Sequence, residues 1–357
     1  EVVPASVEEI SPETAGIITD VFAKLPNYLV VVKTPWGMLA KGAQVVLYNQ
    51  NSNTIVASEV ATYGVAVFTK DQRQNAYTMS ATWTQKETGL TFKSAPRISV
   101  GKTLDMDVIT VHPTFRIGLK DTDHNAYISG YPDGLVRPNN TLTRAEAAQI
   151  IFELMTDESK AQYAKKTGKT FIDVGKDHWA YEAITMMTKA NVLVGVGDGR
   201  FDPDAVMTRE QFATMIAQLF MIEINQPIGG FIFKDLNGGF ADKYISFLYM
   251  LGILEGKGDN MFGPKDSLTR AQAITVVNKL IGRLPGEGTT SFGAVADQMK
   301  TWPDNMDTTA WYYAAIQEAT NSHDYTLDVN FNTFGDLKGD IFQNIKHPVT
   351  ERWTLIR

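Results

Sequence analysis

Three stretches of this chain align without gaps, and that internal repeat limits the possible folds more than any other feature. They run from Gly130 to Glu146, from Gly195 to Gln211 and from Gly256 to Gln272. In each copy an aspartate (Asp133, Asp198, Asp259) follows the first glycine by three positions. A proline (Pro138, Pro203, Pro264) follows it by eight, and a Thr-Arg pair by thirteen and fourteen. The copies begin 65 and then 61 residues apart. Units of this size bury their apolar faces against their neighbours, so the copies are expected to stack on one another.

Each piece has a local physical role. The Gly-x-x-Asp stretch reads as a tight turn whose glycines supply positive φ. Thr143, Thr208 and Thr269 read as helix caps, with Glu146, Gln211 and Gln272 as the reciprocal partners of capping boxes. Helices are expected over 147–155, 212–221 and 273–281, each with an apolar face. A second helix type alternates with these and starts near Trp179, Phe240 and Trp311. Trp311 has no glycine turn after it, and the turn at Gly130 has no aromatic helix before it. The repeat is therefore split between the two ends of the region. The helix at 310–320 is expected to complete the first copy in space and close a ring, bringing residues near 120 and 325 together.

The run Phe171-x-Asp173, His178-Trp179-Ala180, Gly-x-x-Asp-Gly-x-Phe-x-Pro and Thr-Arg-Ala-Glu resembles the S-layer homology (SLH) domain. The resemblance covers roughly residues 120–325, as copies at about 120–165, 170–222 and 232–283. It implies an α-helical pseudo-three-fold domain over 115–325, with 326–357 as a tail. It also implies grooves that bind secondary cell-wall polymers, often carrying ketal-linked pyruvate. Motif by motif, the implied glycan-binding groups are Gly130, Asp133 and Arg144, then Gly195, Asp198 and Arg209, then Gly256, Asp259 and Arg270. Arginine's planar fork suits a carboxylate, and a helix N-terminus adds N–H groups and a favourable dipole for the same anion. Trp179 and Trp311 can stack on sugars, or belong to the core. Each arginine can equally tie one repeat to the next. The third copy, with Lys257, Asn260 and Gly263, departs furthest from the pattern, and one or two active grooves are expected.

Residues 27–114 carry short Val-, Ile-, Thr- and aromatic-rich runs separated by turn residues, which reads as an antiparallel β-sandwich. The pieces Lys41–Tyr48, Thr62–Phe68 and Tyr77–Met79 resemble prealbumin-like modules of the collagen-adhesin B type. Some such modules carry a lysine isopeptide crosslink, for which Lys33 with Asp105 or Asp107 is the placement here; the alternative is three solvated edge residues. Residues 1–26 read as an arm containing a helix capped by Ser11.

The chain has no cysteine, which removes disulfides and thiolate sites. Its net charge of −7 disfavours nucleic acid. No apolar run approaches the ~18 residues of a spanning helix. Five histidines (112, 124, 178, 323, 347) show no paired metal-ligand spacing. The Asp121/Asp123 and Asp202/Asp204 pairs, weak candidates for structural calcium, read as turns, so no cofactor is expected. The expectation is a non-enzymatic, extracellular bacterial protein with a secondary cell-wall polysaccharide as partner. The alternative is a self-assembling subunit of an S-layer, fibre or appendage, forming a homo-oligomer or lattice.

Overall fold

The computed structural model describes residues 27–329 and 349–357, except 36–37, 50–53, 63, 95–97, 101–105, 122, 222, 225–231, 284, 287–288 and 290. The arm over 1–26 and Asp105 lie outside the described residues. Contacts divide the chain into two units, Glu1–Thr114 with Asn330–Pro348 and Phe115–Val329 with Val349–Arg357.

Among the described residues the first unit holds two sheets. In one, β1 (Asn27–Lys33) is central, antiparallel to β4 (Val65–Thr69) and parallel to β8 (Met106–Thr110). The other runs β3 (Ile55–Ala61), β2 (Ala43–Tyr48), β5 (Thr78–Thr84), β6 (Thr91–Lys93), β9 (His112–Pro113), with β7 (Ile98–Ser99) also on β5. A short helix, α1 (Lys70–Asn75), follows β4 under a capping box from Thr69 and Gln72. Strand alternation decides the core: β2 buries Ala43, Val45 and Leu47, and β5 buries Met79, Ala81 and Trp83. The Tyr28 hydroxyl of β1 lies 3.7 Å from the Met79 sulfur of β5, linking the sheets. Lys33 is buried, not a solvated edge residue. It stands opposite Thr110, whereas Asp107 stands opposite Val30 and accepts a hydrogen bond from the Tyr28 hydroxyl.

The second unit is mainly helical. Its helices are α2 (Arg144–Leu154), α3 (Asp157–Ala164), α4 (Tyr181–Lys189), α5 (Arg209–Ala217), α6 (Asp242–Met250), α7 (Arg270–Leu280) and α8 (Tyr313–Thr320). The capping boxes of Thr143, Thr208 and Thr269 are formed, so α2, α5 and α7 begin at the arginine, three residues before the expected start. α2 packs on α4, α5 on α6 and α7 on α8. The segment expected as a tail instead supplies β11 (Val349–Ile356), which pairs antiparallel with β10 (His323–Val329).

Cyclic backbone contacts hold the copies together. The N–H groups of Arg144 and Ala145 donate to the Ala205 and Pro203 carbonyls of the second copy. Those of Arg209 and Glu210 donate to Asp266 and Pro264 of the third, and those of Arg270 and Ala271 to Asn140 and Pro138 of the first. Each copy thus lends the carbonyls of its proline loop to the open helix end of the copy before it, satisfying N–H groups that would otherwise lack partners.

Candidate functional site

The turns are built alike, for reasons that differ from glycine to glycine. Gly130, Gly195 and Gly256 do not have positive φ. A Cβ at these positions would lie 2.0 Å from Trp302, 2.6 Å from Phe171 and 2.6 Å from Phe233, respectively. The aromatic ring and a carbonyl of the turn itself (Leu135, Arg200 or Met261, at 2.6–2.9 Å) together exclude a side chain there. A positive φ shared by all three copies falls four residues later, at Gly134, Gly199 and Asn260, with Asn tolerating the left-handed region that glycine takes freely; the second and third copies also take it at Gly197 and Asp198 and at Gly258 and Asp259. It recurs at Arg137, Asp202 and Gly263, so the third copy's glycine relieves strain that the first copy's arginine accepts.

An aspartate two residues beyond each aromatic clamps the turn. Asp173 accepts the Phe201 and Asp202 N–H groups, and Asp235 those of Phe262 and Gly263. Asp304, far along the chain, accepts those of Val136 (3.0 Å) and Arg137 (2.7 Å) in the first copy. Burial works to raise the pKa of Asp173 and Asp235, but the backbone N–H donors outweigh it and hold both carboxyls below their usual range.

Each arginine reaches the turn of the following copy. Arg144 donates to the Phe201 (2.9 Å) and Val194 (2.8 Å) carbonyls and lies 4.5 Å over the Phe201 ring. Arg209 donates to Phe262 (2.8 Å) and Glu255 (3.1 Å) and lies 4.4 Å over Phe262. Arg270 donates to Val136 (3.0 Å), lies 4.9 Å over Tyr131 and approaches Glu146 at 3.5 Å. Glu146 also accepts from the Tyr131 hydroxyl, whose pKa is pushed up to about 12 by burial and that bond.

The groove sets read from the linear motif are therefore regrouped. Gly195 and Asp198 stand with Arg144, Gly256 and Asp259 with Arg209, and Gly130 and Asp133 with Arg270. The helix N-termini are not open anion sites, because the neighbouring copy occupies the first two N–H groups and the cap threonine the third. Arg144 and Arg270 are buried and spent largely on tying repeats together. Asp133, Asp198 and Asp259 are exposed at the turn tips, with Asp133 paired to Arg137 at 2.7 Å. Trp179 (61% exposed), Phe240 (57%) and Trp311 (64%) are not core. They precede the helices that pack on α2, α5 and α7, and Trp311 lines a groove.

One groove is well formed, with room for about 200 Å³. Arg209, Gly256, Lys257, Gln272, Lys279 and Trp311 are among its lining residues. Lys257 pairs with Asp266, and Lys279 with Glu255 at 2.5 Å. These are surface pairs, cheap to exchange for a ligand carboxylate. The copy that departs furthest from the motif thus contributes two lysines, Lys257 and Lys279, to this groove.

Residues 123–148, 170–213 and 232–274 match the S-layer homology domain, so three segments of the chain are similar to that family. It is 35% identical over 213 residues to the cellulosome-anchoring protein of Acetivibrio thermocellus, covering 58% of this chain and 45% of that protein. It is 31% identical over 232 residues to cell surface glycoprotein 1 of the same organism, covering 61% of this chain and 9% of that protein. It is 30% identical over 128 residues to S-layer protein sap of Bacillus anthracis, covering 35% and 16%. Other relatives bear the names of enzymes, such as a xylanase and an endoglucanase. The chain spans less than half the length of these relatives. Among the described residues, no helix is long and apolar enough to cross a membrane.

Proposed function

We propose that this chain is a non-enzymatic module of a bacterial cell-surface protein, holding it to the wall by binding an anionic, pyruvylated secondary cell-wall polymer. In this reading the second unit is a three-fold spindle and the first a sandwich that serves as spacer or adhesive. The observation that carries the reading is the groove between Arg209 and the third turn. It combines three cations, Arg209, Lys257 and Lys279, with the exposed indole of Trp311. Cations suit a ketal carboxylate, and an exposed aromatic face suits the apolar face of a sugar. The test is co-sedimentation with purified cell walls, before and after mild acid removes ketal pyruvate. Binding is expected to fall sharply with acid treatment and with Trp311→Ala plus Lys257→Ala. Undiminished binding in both arms would refute it.

A second reading, assembly into a lattice or fibre, draws on the edge strand β3. Its Ile55 (57% exposed) and Val60 (52%) lie on a margin of the larger sheet that no strand covers among the described residues, where another strand can add. Concentration-dependent sedimentation that disappears with Val60→Lys would support it, and a monomer at all concentrations would refute it.

A further inference from the structure

The far end of the second unit holds a cluster that neither the repeat motif nor the groove uses. His124, Glu318, His323 and Glu351 come together in the interior, each between 0% and 3% exposed. One ligand atom from each lies within 4.8 Å of all the others. His124 Nδ1 is 3.1 Å from His323 Nε2, 3.2 Å from Glu318 Oε1 and 3.3 Å from Glu351 Oε2. His323 Nε2 is 3.4 Å from Glu318 Oε2. We infer that these four side chains form a binding site for one divalent transition-metal ion of the zinc class.

Three observations carry this. First, with both carboxylates ionised the cluster holds more acceptors than hydrogens, so it calls for a bound cation or an added proton. His323 Nδ1 donates to the Asn321 carbonyl at 3.0 Å, which leaves Nε2 as a lone pair facing the cluster. That lone pair and two carboxylate oxygens converge on His124 Nδ1, where one hydrogen can serve one of them. Neither oxygen of the buried Glu318 accepts a hydrogen bond, an arrangement that is costly for an anion in the interior. Second, the spacing is that of a coordination shell. Ligands at about 2.0–2.2 Å from a tetrahedral metal stand about 3.3–3.6 Å apart; the three separations from His124 Nδ1 are 3.1–3.3 Å, and all four ligand atoms lie within 4.8 Å of one another. Third, the surroundings are those of a ligating histidine. The Asn321 carbonyl fixes the His323 tautomer, and the Trp353 ring stacks on His323 at 3.7 Å. Tyr325 stacks on His124 at 3.9 Å.

Two imidazoles with two carboxylates select zinc and its first-row neighbours over calcium or magnesium, which prefer oxygen alone. Arg283 lies 3.9 Å from Glu318 Oε1, but its Nη1 and Nη2 also donate to the Asn125 and Asp123 carbonyls at 2.8 and 2.9 Å. It fastens the loop that carries His124 and supplies one positive charge against two carboxylates. The site joins the lead-in to the first copy, the closing helix and both terminal strands.

The test uses the full chain, stripped with a chelator and titrated with Zn²⁺ alone by calorimetry, followed by metal analysis after gel filtration. One Zn²⁺ per chain is expected to stay bound, and chelator is expected to lower the melting temperature reversibly. Ca²⁺ and Mg²⁺ are expected to leave it unchanged. Glu318→Gln keeps the size of the side chain and removes the charge, and is expected to weaken Zn²⁺ binding at least ~100-fold. Should that variant misfold, the wild-type stoichiometry and anomalous scattering at the zinc edge still decide. Failure of wild-type protein to retain Zn²⁺, or unchanged binding in folded Glu318→Gln, overturns the site in favour of a proton-bridged cluster.

Discussion

Replacing Arg144 with methionine separates the role of holding the ring from that of binding a ligand. Methionine fills much of the same volume but cannot donate. Two carbonyls, those of Phe201 and Val194, lose donors at 2.9 and 2.8 Å. The stacking of the guanidinium on Phe201 is lost as well. Hydrogen bonds from a charged donor contribute about 1.5–3 kcal/mol each, and a half-desolvated cation–π contact about 1 kcal/mol. Against this, methionine avoids the desolvation of a buried cation, the same burial that lowers the Arg144 pKa. A net loss of about 3 kcal/mol remains, which for a unit of this size corresponds to a fall of about 6–12 °C in melting temperature. Differential scanning calorimetry measures it. Cell-wall sedimentation below the new transition is expected to stay near wild type, because the groove at Arg209 and Trp311 is separate. Trp311→Ala is expected to do the reverse, with an unchanged transition and lost sedimentation. If Arg144→Met melts like the wild type yet fails to bind walls, the assignment of this arginine to the inter-repeat seam is wrong.

Other outcomes follow from the same geometry. Asp304→Ala strips the acceptor from the Val136 and Arg137 N–H groups, and calorimetry is expected to show a loss of about 2–4 kcal/mol. Gly195→Ala drives a Cβ to 2.6 Å from both Phe171 and the Arg200 carbonyl, with an expected cost of at least about 2 kcal/mol by chemical denaturation. Thr208→Ala removes one capping box and is expected to cost about 1 kcal/mol. The carboxyls of Asp173 and Asp235 are held below their ordinary value, so their stabilisation is complete above the unfolded value near pH ~4 and is lost as the pH falls through the folded values. Melting temperatures between pH 6 and pH 3 are expected to fall only below about pH 4, and less steeply in the double Asp→Asn variant.

What the sequence disclosed was local. Caps, turn glycines and strand alternation act over a few residues, so Thr143, Thr208 and Thr269 announced their helices and Val45 and Leu47 their buried face. The pairing of each arginine with the next copy's turn was hidden, because a linear motif carries Gly195 and Arg209 together while the fold separates them. The same neighbouring contact filled the helix ends that looked free. Exposure of Trp179 and Trp311 could not be read from aromatic identity, since a tryptophan at helical spacing suits a core equally well. The histidine cluster left no signature in spacing: His124 and His323 lie 199 positions apart, and only ring closure makes them neighbours.

That closure has a mechanical consequence. At one of the places where the chain passes between the units, Thr114–Phe115, tension along the backbone enters the segment that carries His124. The chain next meets the seam where the two halves of the first copy join. There, His124 and residues Ala126–Ile128 are tied to Ala319–His323 by hydrogen bonds from Tyr127 and Ile128 N–H to the Ala319 carbonyl, from His323 N–H to the His124 carbonyl, and from Ala126 N–H to the Ser322 hydroxyl, besides the contact between the two imidazoles. A ring built from successive whole copies would meet a pull at a free outer helix, which can peel. Splitting one copy between the ends of the array stitches the entering chain directly to the segment that closes the ring.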